Sequence, residues 1–391
     1  MQIPLEKQAD RRFQVAGGTA AVGLGVVLLV AVVALITVKA TSTPQATRDA
    51  HLAAWQGTVP VLDLQISQKH WQSLERNREL QQRLAQRLHF PPVHAQLADS
   101  SKHLGVVLNL SGPLDTERPS NLGALRVEVK DGGDWKGLRA FVLRDPEEPG
   151  LLREAVFYEA LRSVGLLYPQ IRAVWLERNG QAVGPAVAVQ IPDAASIRAE
   201  LQVEGVLLAI DPTVAQGVDL STRAWLAAND VTPTAESDPG QTHESREFAR
   251  DVSRALQAVI RGETSVDSVL DASKSLQWWT VALLLHQAEP GAWASARWVA
   301  STNSQKLQPF ARHGLDAPLA VDAMLGRLVV ERSDAIVAAQ ISVLARLNAR
   351  ELQEIQRRLL STWPNLDQRA LTAIVAELKQ RLASLRALRG L

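Results

Sequence analysis

The sequence predicts an α+β protein, a two-lobed domain with a helical C-terminal part behind a single N-terminal transmembrane helix. Three observations predict it. Leu125 to Gln190 reads as two strands, a helix and two more strands with legible turns; the chain from Ala317 onward has helical spacing almost throughout; and Phe13 to Val38 carries no charged residue.

Taken in order, residues 1–15 form a short cytoplasmic N-terminus and 16–38 the membrane helix. Roughly 20 apolar residues cross a bilayer, whereas the apolar part of a signal peptide is about 7 to 15 long. Ala16 to Val38 is broken only by Thr19 and Thr37, and Val38-Lys39-Ala40 is a poor cleavage site, so an uncleaved anchor is expected. Lys7, Arg11 and Arg12 precede the span and Lys39 and Arg48 follow it; the tight Arg11-Arg12 pair favours a cytoplasmic N-terminus. Small residues four apart, such as Ala16 and Ala20 or Gly17 and Ala21, would also permit close helix packing in the membrane. Residues 39–58 are a polar tether.

The N-terminal α+β lobe is expected over 59–228. Val59 to Ser67 alternates like a strand, and Gln68 to Leu88 is helical, with Trp71, Leu74, Leu80, Leu84 and Leu88 toward a core. Gly105 to Leu110 is a further strand. Leu125 to Lys130 alternates apolar with charged residues, Asp131-Gly132-Gly133-Asp134 turns the chain, and Leu138 to Leu143 returns it as a hairpin. After Pro149-Gly150 the spacing becomes helical and ends at Gly165, where a helix C-cap needs positive φ. Ile171 to Glu177 and Val183 to Gln190 are strands joined through Asn179-Gly180, a strong hairpin signal.

Residues 229–247 form a polar linker, so His243 and Glu244 within it are poor metal or catalytic candidates. The C-terminal lobe, 248–391, is mostly helical, with a stop at Trp363-Pro364-Asn365. Lys379, Arg381, Arg386 and Arg389 in the last helix read as a solvated face near the negative end of the macrodipole, or alternatively as a partner-docking helix.

Composition narrows the function classes. The 42 basic and 41 acidic residues nearly balance without a basic stripe, which disfavours nucleic acid as a partner. The absence of cysteine removes thiol catalysis, disulfides and cysteine zinc sites together. Ten Trp stand against two Tyr; Trp278, Trp279, Trp293 and Trp298 suggest either core packing or a carbohydrate platform.

Several of these motifs together resemble the spore-coat CotH kinase family. They are the basic strand Leu125 to Lys130, the run Gly137-Leu138-Arg139-Ala140-Phe141-Val142-Leu143-Arg144-Asp145-Pro146, Arg153-Glu154 opening a helix, and Gly165-Leu166-Leu167-Tyr168-Pro169. The Asn179-Gly180 hairpin with Gly184, Glu204 to Asp211, Asp271 to Leu285 and Leu307 to Phe310 extend the likeness over roughly 59 to 320. The resemblance implies an atypical protein-kinase-like fold, with Arg126 and Lys130 as remnants of a nucleotide-binding strand.

Departures from the family's pattern set the functional expectation. Ser111 stands where the family often has a phosphate-reaching Lys, Val189 and Gln190 where it has a carboxylate, Ser295 where it has a metal-binding Asn, and Arg312 or His313 where it has the metal-binding Asp. Mg²⁺ wants oxygen ligands in octahedral geometry, normally including carboxylate, which Ser, Arg and His do not supply. The expectation is a pseudokinase with no metal, no cofactor and no catalytic residue: a single-pass protein of the bacterial inner membrane with its bulk in the periplasm. It would act as scaffold or regulatory subunit of a cell-envelope assembly, a polysaccharide-related one among the candidates, with partners met through the membrane helix or the C-terminal helices. The alternative is an active phosphotransferase using ATP and Mg²⁺ or Mn²⁺ on an envelope substrate, with a shifted set of Lys130, Glu289 and Asp316.

Overall fold

The computed structural model of the 391-residue chain describes residues 57–84, 90–99, 102–110, 125–148, 150–191, 205–208, 263–285, 297–301, 306–310, 332–364 and 366–391. Isolated positions at 55, 247–248, 250–252, 254–255, 258–259 and 328 are described as well. The chain divides into two compact units, Met1–Ala53 and Ala54–Leu391. The first holds the anticipated membrane span and lies outside the described residues, as do Leu88, the linker 229–246 and Trp293. Among the described residues no helix is long and apolar enough to cross a membrane. Trp55, within the interval read as tether, is buried, and its carbonyl accepts from the amides of Thr58 and Val59.

Seven strands close into a barrel: β1 (Val61–Gln65), β2 (Val93–Asp99), β3 (Lys102–Leu110), β4 (Leu125–Val129), β5 (Ala140–Arg144), β6 (Ile171–Arg178) and β7 (Gln181–Gln190), in the order β1-β2-β3-β4-β5-β7-β6. Neighbours are antiparallel except at the closure, where β1 runs parallel to β6 from Val61 opposite Trp175 to Leu64 opposite Arg178. Alternation along each strand sends Leu62, Leu64, Leu97, Leu108, Val127, Phe141, Leu143, Val174 and Ala186 inward into one buried cluster. The interior is therefore a packed core and not a cavity.

Helix α1 (Gln68–Leu84) adds Trp71 and Leu74 to that cluster. Leu80 departs from expectation and is 39% exposed. Its position explains why: nine residues after Trp71 is about two and a half turns, which puts it on the opposite side of the helix.

Local signals are realised closely. Asn179 (φ 52°) and Gly180 (φ 74°) form the left-handed turn between β6 and β7. That turn also clasps the end of β1, since the Asn179 side chain accepts from the Ile66 amide at 2.8 Å and donates to the Ile66 carbonyl at 2.9 Å. The second strand of the earlier hairpin starts at Ala140, two residues later than expected. Leu138 is instead taken up by a tight turn, exchanging two 2.9 Å backbone bonds with Trp135 across Lys136 and Gly137.

Helix α2 (Leu151–Ser163) ends in a Schellman motif: Leu166 donates to the Leu161 carbonyl and Gly165, at φ 75°, to that of Arg162. A second sheet holds β8 (Gly205–Leu208), β9 (Arg297–Ser301) and β10 (Leu307–Phe310), ordered β10-β9-β8. Helix α3 (Ala272–Leu284), capped by Asp271 on the Lys274 amide, packs against β10 and α2. Trp278 on α3 is buried and meets Phe157 of α2 edge-on, with ring centroids 5.6 Å apart, so this tryptophan belongs to the core and not to a glycan platform.

Helices α4 (Ser333–Arg346), α5 (Ala349–Thr362) and α6 (Gln368–Leu388) complete the unit; α4 packs on α3, and α5 and α6 on α2. Ile341 and Leu388, part of the apolar spacing, are exposed. Of the four basic residues read as a solvated face, Lys379 is exposed, while the three arginines reach neighbouring helices. Arg381 donates to the Leu283 and Leu284 carbonyls, Arg386 to that of Leu344 and Arg389 to Gln340 Oε1. Arg346 of α4 likewise donates to the Val164 carbonyl at the end of α2. The last carbonyls of a helix have no partner within it, and the guanidinium groups of Arg346, Arg381 and Arg386 supply one across the packing interface.

Candidate functional site

The outer face of the β4–β5–β7 sheet carries a buried ion-pair network. On β5 the inward side chains are Phe141 and Leu143, which leaves Ala140, Val142 and Arg144 on the other face. Ala140, Val142 and Ile191 form a small buried apolar cluster of their own. Arg144, at the end of this strand, is only 4% exposed.

Its charge is held by carboxylates from the connection and the next helix. Arg144 Nε donates to Glu148 Oε2 at 2.8 Å and Nη2 to Glu148 Oε1 at 2.5 Å, a two-pronged pairing, while Nη1 donates to Glu154 Oε2 at 2.6 Å. The hydroxyl of Tyr158, one turn along α2, donates to Glu154 Oε1. Burial alone would pull the Arg144 guanidinium down, but its bonds to Glu148 and the charge of Glu154 lift it above its ordinary value. Burial, reinforced by Glu154, pushes the Tyr158 phenol up. In the sequence Arg144 and Glu154 stand within motifs that give them no role of their own. The signal was present: one arginine closing an apolar strand, with glutamates four and ten residues on.

Arg126 lies on the same outer face, opposite Val142, and pairs with Glu128 at 2.5 Å. Lys130 is elsewhere. Leu125 is the β4 residue opposite Leu143, so Lys130 sits five residues, roughly 17 Å, farther along the strand. Its Nζ donates to His94 Nδ1 at 2.7 Å. The two basic residues read as nucleotide remnants are thus at different ends of β4. Val189 is fully buried, and Gln190 is turned to the backbone of Gln170, whose amide its side-chain oxygen accepts at 2.9 Å. Ser111, His243, Glu244, Glu289, Ser295, Arg312, His313 and Asp316 lie outside the described residues. Among the described residues no group of three His, Asp or Glu side chains is placed to hold a metal ion.

A pocket of about 250 Å³ opens between α2, the start of β6 and the end of α5, lined by Tyr158, Glu159, Arg162, Tyr168, Arg172 and Trp363 among others.

No protein-family model matches this sequence, and no curated protein does. Solved structures that are similar in part include these two. The crystal structure of the Helicobacter pylori proinflammatory kinase CtkA is 10% identical, pairs 68% of this chain with 93% of that one, and has a TM-score of 0.35. The Shewanella oneidensis MR-1 toxin–antitoxin complex of HipA, HipB and operator DNA supplies a chain that is 13% identical, covering 77% of this chain and 64% of that one at a TM-score of 0.31.

Proposed function

We propose that this protein is a membrane-anchored, kinase-like pseudoenzyme serving as scaffold or regulatory subunit of a cell-envelope assembly. The observation that carries the reading is the Arg144–Glu154 pair. In protein kinases a strand lysine pairs with a glutamate on the helix called αC and also reaches the nucleotide's α- and β-phosphates. Arg144 closes β5 and Glu154 opens α2, so a basic strand residue and a helix glutamate stand in that relation at 2.6 Å.

The chemistry of the pair argues against phosphate handling. A lysine ammonium is a point charge that can turn between glutamate and phosphate, whereas the guanidinium fork is planar and fixed. All three nitrogens of Arg144 already donate to Glu148 and Glu154, and the side chain is buried. The replacements at Ser111, Val189, Ser295 and His313 act in the same direction, because phosphoryl transfer depends on positioned charge and metal. The membrane and envelope parts of the reading rest on the uncharged run from Phe13 to Val38.

A thermal-shift titration of the detergent-solubilised chain tests it. A ligand at a hundredfold excess over its dissociation constant stabilises a native state by about 2.7 kcal/mol. Millimolar ATP with Mg²⁺ or Mn²⁺ is expected to leave the midpoint unchanged. A clear rise, or phosphate transfer lost in Glu289→Ala or Asp316→Ala, overturns this reading and favours the phosphotransferase.

A further inference from the structure

Helix α2 is held by charge along its whole length. Toward the barrel, Glu154 in its first turn meets Arg144 of β5 at 2.6 Å. Toward the C-terminal helices, the preceding residue, Arg153, donates through Nη2 to Glu377 Oε2 of α6 at 2.7 Å and through Nη1 to the Leu285 carbonyl just past α3 at 3.2 Å. Farther along, Glu159 accepts from Arg358 Nε of α5 at 2.6 Å, and Ser163, the last residue of α2, donates to Glu351 Oε1 of α5 at 2.7 Å. The side-chain partners on α5 and α6 lie 188 to 224 residues from theirs on α2.

Arg153 and Glu154 are consecutive, so the α6 contact and the β5 contact act on one helical turn, with the two side chains about 100° apart around its axis. A shift or rotation of α2 that follows α6 therefore cannot leave Glu154 in place against Arg144. Arg358 adds a second constraint by answering three carboxylates at once: Glu159 at 2.6 Å, Glu351 at 3.0 Å and Glu354 at 3.5 Å. Without its guanidinium, three anions would stand together where α2 meets α5, and their repulsion would push the helices apart.

We propose that α5 and α6 act as an internal clamp on α2, coupling the C-terminal helices to the Arg144–Glu154 pair, so that a displacement of α5 or α6 opens the pair. The importance of the pair rests on the kinase-like reading, whereas the coupling itself does not. Amide hydrogen exchange of the full chain in nonionic detergent, followed by mass spectrometry without nucleotide, tests the clamp separately from the ATP titration. In Arg358→Gln, the amides of 151–163 are expected to exchange about tenfold faster through local opening, with β2 and β3 unchanged. Glu377→Gln, a milder change at a pair about a third exposed, should accelerate the same segment about threefold and carries the test if Arg358→Gln does not fold. Arg254→Gln, at an exposed pair outside the clamp, should change nothing. Made in a chain already carrying Arg144→Met and Glu154→Gln, Arg358→Gln should speed 151–163 by only about threefold, because the pair it opens is already gone. Full additivity overturns the coupling to the pair, and unchanged exchange over 151–163 overturns the clamp. Equal acceleration in β2 and β3 overturns both, since Arg358 would then support only the fold as a whole.

Discussion

Arg144 shows how a single residue ties the barrel to the helices. A guanidinium removed from water is tolerable only when its donors and charge are answered, and Glu148 and Glu154 do both at 2.5 to 2.8 Å. Because Glu154 belongs to the first turn of α2, the same contact fixes where the helix begins against β5. Removing one partner of such a network leaves the other charges uncompensated, which costs about 3–5 kcal/mol. Arg144→Ala is therefore expected to lose that much in urea unfolding followed by tryptophan emission. Arg144→Met combined with Glu154→Gln should recover part of the loss, since the double change removes both a buried cation and one of its anions. Equal stability of Arg144→Ala and the parent chain would show that the network contributes nothing.

At the scale of elements, what was legible in the sequence was what a few adjacent residues decide. Gly165 and Asn179-Gly180 announced a C-cap and a hairpin because only certain residues adopt positive φ at low cost, and both stand where expected. Leu80 was misread because its spacing was judged along the helix without a fixed core direction. The arginine caps on α2, α3 and α4 could not be read, since each donor lies on another helix and only packing brings it to the carbonyl. Two glycines separate backbone strain from these contacts. A Cβ at Gly180 would meet nothing within 4 Å, whereas one at Gly165 would lie 2.7 Å from Arg346 Nη1, the group that caps Val164. Left-handed backbone costs an ordinary residue about 1–2 kcal/mol. Gly180→Ala is expected to lose about that, and Gly165→Ala more, as shifts in the urea midpoint; a smaller loss at 165 would show that Arg346 moves aside freely.

For the whole molecule, the α+β class and the helical C-terminal part were readable, but the closed barrel was not. Its closure joins Val61–Leu64 to Trp175–Arg178, partners more than a hundred residues apart, and no local pattern encodes that pairing. β2 was missed as well: although His94 and Gln96 alternate with apolar residues, the run is short and follows directly on Pro91-Pro92. Closure has a functional consequence. With its interior filled by side chains, the barrel leaves ligand chemistry to surfaces outside that core. The proposed site of action of this folded unit then rests on Phe13 to Val38, whose apolar length exceeds the roughly 20 residues a helix needs to cross a bilayer. Membranes bearing the protein should keep it through high-salt and alkaline washing and release it to detergent, with the N-terminus of the mature chain still preceding Ala16. The Arg11-Arg12 pair sets the expected orientation. An alkaline phosphatase fused after Leu391 should be active outside the cytoplasm. Release by salt, or a mature chain beginning after Ala40, would remove the anchor, and activity of only a cytoplasmic reporter would invert the topology and withdraw the envelope assignment.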